Sequence, residues 1–177
     1  MVTEGHFKQM KKHPRRTLCL LSVFSLFVFL PSYSQGKKSQ GIGYIDKTGI
    51  YAVKPQFAHA YDFSDGLARV EVDGRWGYID KTGKIVIKPQ FAHAHDFSDS
   101  LAGVEVDGKW GYIDKTGKII IEPQFAHAGD FSEGLARVFI KGNGGYIDKT
   151  GKIIIKPQFL DADKFSEGLA KVREWPE

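Results

Sequence analysis

A block of 34 residues recurs four times in this chain without insertion or deletion, and that constrains the fold more than any other feature. Its Gly-Tyr-Ile-Asp core begins at Gly43, Gly77, Gly111 and Gly145. Pro-Gln-Phe keeps the same step at Pro55, Pro89, Pro123 and Pro157, as does Phe-Ser at Phe63, Phe97, Phe131 and Phe165. A fixed period of this size marks an array in which each unit buries its apolar surface against its neighbours. The units are 42–75, 76–109, 110–143 and 144–177.

Helical arrays share this period, but Gly77, Gly83, Pro89 and Gly108 punctuate the second unit. Each Gly costs a helix interior ~1 kcal/mol and each Pro ~3 kcal/mol. Strands and tight turns fit between them. Ala68, Val70 and Val72 alternate with Arg69 and Glu71, the period of a strand. Asp73-Gly74 is a two-residue hairpin signal, because both turn positions want positive φ. A second strand runs from Trp76 to Asp80, Asp80-Lys81-Thr82-Gly83 makes a bulged hairpin loop, and Lys84–Lys88 is the third strand. The expected fold is all-β: tandem three-stranded antiparallel meanders in an open curved array, with a closed propeller-like ring as the alternative.

These turn lengths set a register in which Ala68, Val70, Val72, Ile79, Ile85 and Ile87 share the core face. Gly77 lies in its middle, opposite Ile87, leaving a gap for Phe91, Phe97 or a neighbour's equivalent. The opposite face carries Trp76, Tyr78 and Val86 among Arg69, Glu71 and Lys88, with Arg69 placed to stack on Tyr78. Pro89–Ser100 is expected to be a connector holding at most one helical turn, with Phe91, Ala94 and Phe97 docked on the sheet. The first unit lacks a preceding first strand and the last leaves a lone one, Leu169–Trp175. Glu174 at the core-facing position of Val72 favours an unpaired edge, and so an open array.

The formal charge of +4 is misleading. Residues 1–34 hold five basic side chains against Glu4, whereas residues 35–177 hold 20 basic and 20 acidic ones. A nucleic-acid partner is therefore not expected. The basic start, the apolar run Leu18–Leu30 and the small-residue pattern Ser32-Tyr33-Ser34 predict a signal peptide over 1–34, followed by a linker over 35–41. An uncleaved anchor is the alternative, and Met10 is an alternative start. Cleavage would leave no membrane span and place the array outside the cytoplasm. The single cysteine, Cys19, falls in this leader, so the repeats have no thiol chemistry.

Reactive constellations are thin. Asp-Lys-Thr-Gly at Asp46, Asp80, Asp114 and Asp148 matches the start of an ATPase phosphorylation motif, but Asp and Gly are also what the turn requires. His59, His93 and His127 recur in phase, with His95 added once, yet Asp161 takes the fourth place and no cysteine completes a metal shell. His93, Asp96 and Ser98 hold the elements of a hydrolytic triad within one short loop, where local turn bonds are expected instead. No catalytic residue, cofactor or metal is predicted. The most plausible binding surface is an aromatic stripe of Tyr44, Trp76, Tyr78, Trp110, Tyr112 and Tyr146, suited to sugar rings or peptides. The competing expectation is that these rings pack between adjacent units.

Lys109-Trp110-Gly111-Tyr112-Ile113-Asp114, Gly117-Lys118-Ile119, Pro123-Gln124-Phe125 and Phe131-Ser132-Glu133-Gly134-Leu135-Ala136 resemble the bacterial WG, or KWG, repeat family. The resemblance covers residues 42–177, although Ile42 and Gly144 replace the tryptophan in two copies. It implies a tandem β-repeat, often exported, that mediates interactions and has no general enzymatic activity. The expected function is that of an exported, non-catalytic scaffold or binding module for protein. The alternative is cell-wall or polysaccharide binding through the Trp/Tyr stripe.

Overall fold

The computed structural model describes residues 41–176; the expected leader and most of the expected linker lie outside the described residues. Gly36–Glu177 forms one compact unit. Its strands are β1 (Ile42–Ile45), β2 (Tyr51–Phe57), β3 (His59–Ser64), β4 (Leu67–Val72), β5 (Arg75–Ile79), β6 (Ile85–Phe91), β7 (Leu101–Val106), β8 (Lys109–Asp114), β9 (Ile119–Phe125), β10 (His127–Ala128), β11 (Leu135–Ile140), β12 (Asn143–Asp148), β13 (Ile153–Phe159), β14 (Asp161–Ala162) and β15 (Val172–Arg173). No helix occurs among the described residues, and the array is all-β and antiparallel.

The repeating sheet has four strands rather than three. The orders β3-β4-β5-β6 and β10-β11-β12-β13 are complete, and bridges Ala94↔Val104 and Ser98↔Leu101 give β7-β8-β9 the same lead-in partner. The stretch expected to be a connector therefore carries pairing: in Pro89–Ser100 strand runs to Phe91 and isolated bridges follow at Ala94 and Ser98, while its equivalent in the first unit is mostly strand. Asp65 (φ 52°) and Gly66 (φ 90°) turn the lead-in strand back into β4, a second two-residue hairpin in each unit. The third strand also runs on through Pro89 to Phe91.

The first hairpin has the expected register: Ala68↔Ile79, Val70↔Gly77 and Val72↔Arg75. The second keeps Ile79↔Ile85 and then slips, giving Tyr78↔Ile87 and Trp76↔Phe91. This bulging replaces the expected opposition of Gly77 and Ile87. A Cβ on Gly77 would lie 2.6 Å from Ile87 O and 2.6 Å from Pro89 N. The gap at Gly77 is therefore closed by the main chain of β6, not by a phenyl ring. Glycine here permits close backbone approach.

Both faces of the inner sheets pack against neighbours, which corrects the single core face. Ala68, Val70 and Ile79 pack back against Val53 and Phe57 of the preceding sheet. Tyr78, Ile87 and Phe91 pack forward against Ala102, Val104 and Ile113 of the next. Tyr112, Ile121 and Phe125 then meet Ala136, Val138 and Ile147 in the same way. Ile85, assigned to the core, is 46% exposed because it lies at the start of the outer strand, beside the loop. All three clusters close within the compact unit, so the array carries its own core.

Polar clamps repeat with the packing. Ser64, Ser98 and Ser132 donate their hydroxyls to Phe97 O, Phe131 O and Phe165 O at 2.6, 2.7 and 2.8 Å. Asp65, Asp99 and Glu133 accept the main-chain N–H of Ser100, Gly134 and Gly168. The Phe-Ser-(Asp/Glu) motif is thereby explained as a tie between successive lead-in turns. The terminal strands β1 and β15 belong to different two-stranded sheets, β1-β2 and β14-β15, so no shared sheet closes a ring. The strand expected to stand alone at the end pairs with β14 through Ala162↔Val172.

Candidate functional site

The six rings of the expected stripe do not form one surface. Tyr78, Tyr112 and Tyr146 are at most 1% exposed. Their hydroxyls donate to His95 O, Gly129 O and Asp163 O of the following lead-in strand at 2.6–2.7 Å. Their rings meet Phe97, Phe131 and Phe165 edge-on with centroids 4.8–4.9 Å apart. Burial, above all, pushes the Tyr78 and Tyr112 phenols well above the ordinary range. Tyr44, half-buried, makes the same bond to Tyr61 O and packs on Phe63. The tyrosines thus lock each sheet to the lead-in of the next, and the stripe reduces to Trp76 and Trp110, both half-buried.

Around those two indoles lies a polar groove whose side chains change from copy to copy. In the first interval Arg69 places its guanidinium 3.9 Å from the Tyr61 ring centroid and 4.8 Å from that of Trp76. It donates to Ala94 O and approaches Asp96 at 3.2 Å. The expected stack on Tyr78 is absent, because Tyr78 turns inward beneath the next strand. Burial raises the Asp96 carboxyl above its usual range despite Arg69.

In the second interval Gly103 stands where Arg69 stood. A Cβ there would lie 3.2 Å from His95 Nδ1, so the imidazole occupies the vacated room. His95 stacks on Trp110 at 4.5 Å and pairs with Asp130 at 3.1 Å, which holds the Asp130 carboxyl below its usual range. In the third interval arginine returns as Arg137, while both rings are lost to Gly129 and Gly144. Phe139 takes the indole's room, 3.4 Å from a Cβ on Gly144. Beside it opens a cleft of about 640 Å³, of the size that holds small ligands or peptide side chains. Arg137, Lys164, Lys171 and His95 line it together with Asp130 and Asp163. The 2.8 Å pair with Lys171 depresses the Asp163 carboxyl and raises the Lys171 amine. Mixed charge of this kind suits polar, bifunctional ligands rather than a plain anion.

Each reactive constellation is already engaged. His93 pairs with Glu105 at 2.6 Å, Asp96 with Arg69, and Ser98 with Phe131 O, so the three elements of a triad point to three different partners. His59 pairs with Glu71, while His127 lies edge-on to Phe139 at 6.2 Å. No metal-spaced cluster of three His, Cys, Asp or Glu side chains is present among the described residues. Asp80 Oδ1 accepts from Thr82 N, Thr82 Oγ1 and Lys84 N at 2.9, 2.6 and 3.1 Å. Those bonds hold its carboxyl below the usual range, led by the threonine hydroxyl, and the other three copies match. The Asp-Lys-Thr-Gly carboxylates cap turns.

The cleft residues Asp130, Arg137, Asp163 and Lys164 escaped the sequence reading, which looked for what the copies share. The usable signal was the reverse: positions 61, 95, 129 and 163 read Tyr, His, Gly and Asp, within an otherwise repetitive frame. No curated protein and no solved structure matches this chain. The family model for the WG containing repeat matches residues 42–76, 76–110, 110–143 and 145–174, and the chain belongs to that family.

Proposed function

We propose that this is an exported, non-catalytic repeat protein whose array is a scaffold for binding protein segments along the polar groove. One observation carries the reading. The residues that hold the sheets together, such as Gly77, Tyr78 and Ile79, are the same in nearly every copy, whereas positions 61, 95, 129 and 163 of the groove read Tyr, His, Gly and Asp, and positions 69, 103, 137 and 171 read Arg, Gly, Arg and Lys. A surface that varies on a constant frame can recognise a non-repeating polypeptide. The cleft at Arg137 offers both charges, as a peptide with mixed side chains requires. Export rests on the order of charge, apolar run and small residues in the leader.

Glycan binding is the second reading, favoured by the partial exposure of Trp76 and Trp110. It retains two rings of the six. A displayed peptide library selected on the Gly36–Glu177 unit tests both. Selected peptides should bind Lys164→Glu about tenfold more weakly, the loss typical of a charged contact. Failure to select peptides, or indifference to both Lys164→Glu and Trp110→Ala, refutes the protein reading. Retention on insoluble peptidoglycan that disappears with Trp110→Ala would install the glycan reading in its place.

A further inference from the structure

A second surface runs along the opposite margin of the sheets. The outer strand of each unit begins with aliphatic residues that the packing leaves uncovered. Ile85, Val86, Ile119, Ile120, Ile153 and Ile154 are between 39% and 48% exposed. They occupy equivalent positions in three successive units. Each preceding loop rests on the neighbouring outer strand: a Cβ on Gly117 would lie 3.3 Å from Ile87, and one on Gly151 3.1 Å from Ile121. The aliphatic pairs are therefore neighbours in a continuous row, about 10 Å apart, as face-packed sheets are.

Lysines fringe this row. Segments 46–54, 80–88, 114–122 and 148–156 together hold ten basic and five acidic side chains. The remainder of 41–177 holds eight basic and fifteen acidic ones. Two of those acids, Asp65 and Asp99, pair with Lys115 and Lys149 of the margin at 3.8 and 3.7 Å, so the margin carries ten basic against seven acidic groups and remains the more positive part of the array. Lys84, Lys118 and Lys152, each directly before an aliphatic pair, are all exposed.

We propose that this margin docks on an anionic phospholipid surface. Aliphatic tips set between lysines suit an interface in which side chains enter the headgroup layer while ammonium groups meet phosphates. A plane can engage every rung of the row at once. A second copy of the chain is disfavoured, since it would bring two margins of the same sign together. The docking is peripheral; among the described residues no helix is long and apolar enough to cross a membrane.

The test uses the Gly36–Glu177 unit with vesicles of phosphatidylcholine alone or mixed with phosphatidylglycerol. The unit sediments with the mixed vesicles and not with the neutral ones, and high salt weakens the binding about tenfold. Two triple variants, Val86→Ser/Ile120→Ser/Ile154→Ser and Lys84→Gln/Lys118→Gln/Lys152→Gln, each lower partitioning about tenfold. Circular dichroism checks their fold; the lysine set, wholly at the surface, keeps the test decisive if the serine set destabilises the array. Absence of binding to phosphatidylglycerol vesicles, or native-like binding by the lysine set, overturns the proposal. Retention on immobilised polyglutamate without vesicle binding also overturns it, and assigns the margin to an acidic polypeptide.

Discussion

Gly111→Ala should damage the array more than Gly108→Ala, although a purely conformational argument gives the opposite order. Gly108 has φ +74°, where a side chain is strained, but nothing lies within 4 Å of a Cβ built there. Left-handed strain costs ~1–2 kcal/mol. Gly111 has no such φ, so conformation alone would make alanine there harmless or slightly stabilising. Its Cβ, however, would stand 2.5 Å from Ile121 O, 2.7 Å from Pro123 N and 2.9 Å from Pro123 Cα. Carbon contacts are comfortable near ~3.5 Å. The obstructing atoms belong to the main chain of β9, which cannot rotate away as a side chain could and is hydrogen-bonded to β8. Overpacking of this kind costs ~3 kcal/mol, offset by up to ~1 kcal/mol from the stiffer unfolded chain, leaving ~2 kcal/mol. At ~3 °C per kcal/mol, the melting temperature should fall by about 6 °C. Urea unfolding of the two variants, followed by tryptophan fluorescence, decides the matter. If Gly111→Ala is as stable as Gly108→Ala, the close approach of β9 to Gly111 is wrong.

Two more outcomes follow from the turns. Ser100 (φ 72°) occupies the position held by Gly66, Gly134 and Gly168 in the other copies, so Ser100→Gly should stabilise by ~1 kcal/mol and raise the melting temperature by about 3 °C; an unchanged or lower value refutes the strain. Asp46, Asp80, Asp114 and Asp148 have folded carboxyl pKa values below the ordinary 3.8, so each contribution is complete above that value and is lost as pH falls through the depressed folded values. Urea midpoints should accordingly hold steady down to about pH 5 and fall below pH 4, and Asp114→Ala should fall less steeply; equal slopes would show the carboxylate to be idle.

The period, the hairpin register Val70↔Gly77 and the loop at Asp80 were all legible, because turn chemistry and alternation act over a few residues. Asp65-Gly66 was as legible as Asp73-Gly74 and marks the lead-in hairpin; reading Pro89–Ser100 as a connector cost the fourth strand. The bulge opposite Gly77 is another matter. Lys-Ile-Val-Ile-Lys has apolar residues at successive positions, so no alternation reports which of them faces inward, and Ile87 could be assigned to either face. The site suffered from the same cause. A strand buried on both faces reads as nearly continuous apolar sequence, and Trp76-Gly77-Tyr78-Ile79 does so. Assigning one face to the core placed Tyr78 outside with Trp76, although their constraints differ. A tyrosine that must reach a fixed carbonyl in the lead-in of the next sheet has no freedom to vary, and all four copies keep it. The neighbouring indole gives way to Ile42 and Gly144, with Phe139 filling the room at the second. Within a repeat array, sameness between copies therefore points to the joints, and the binding surface is sought where the copies disagree.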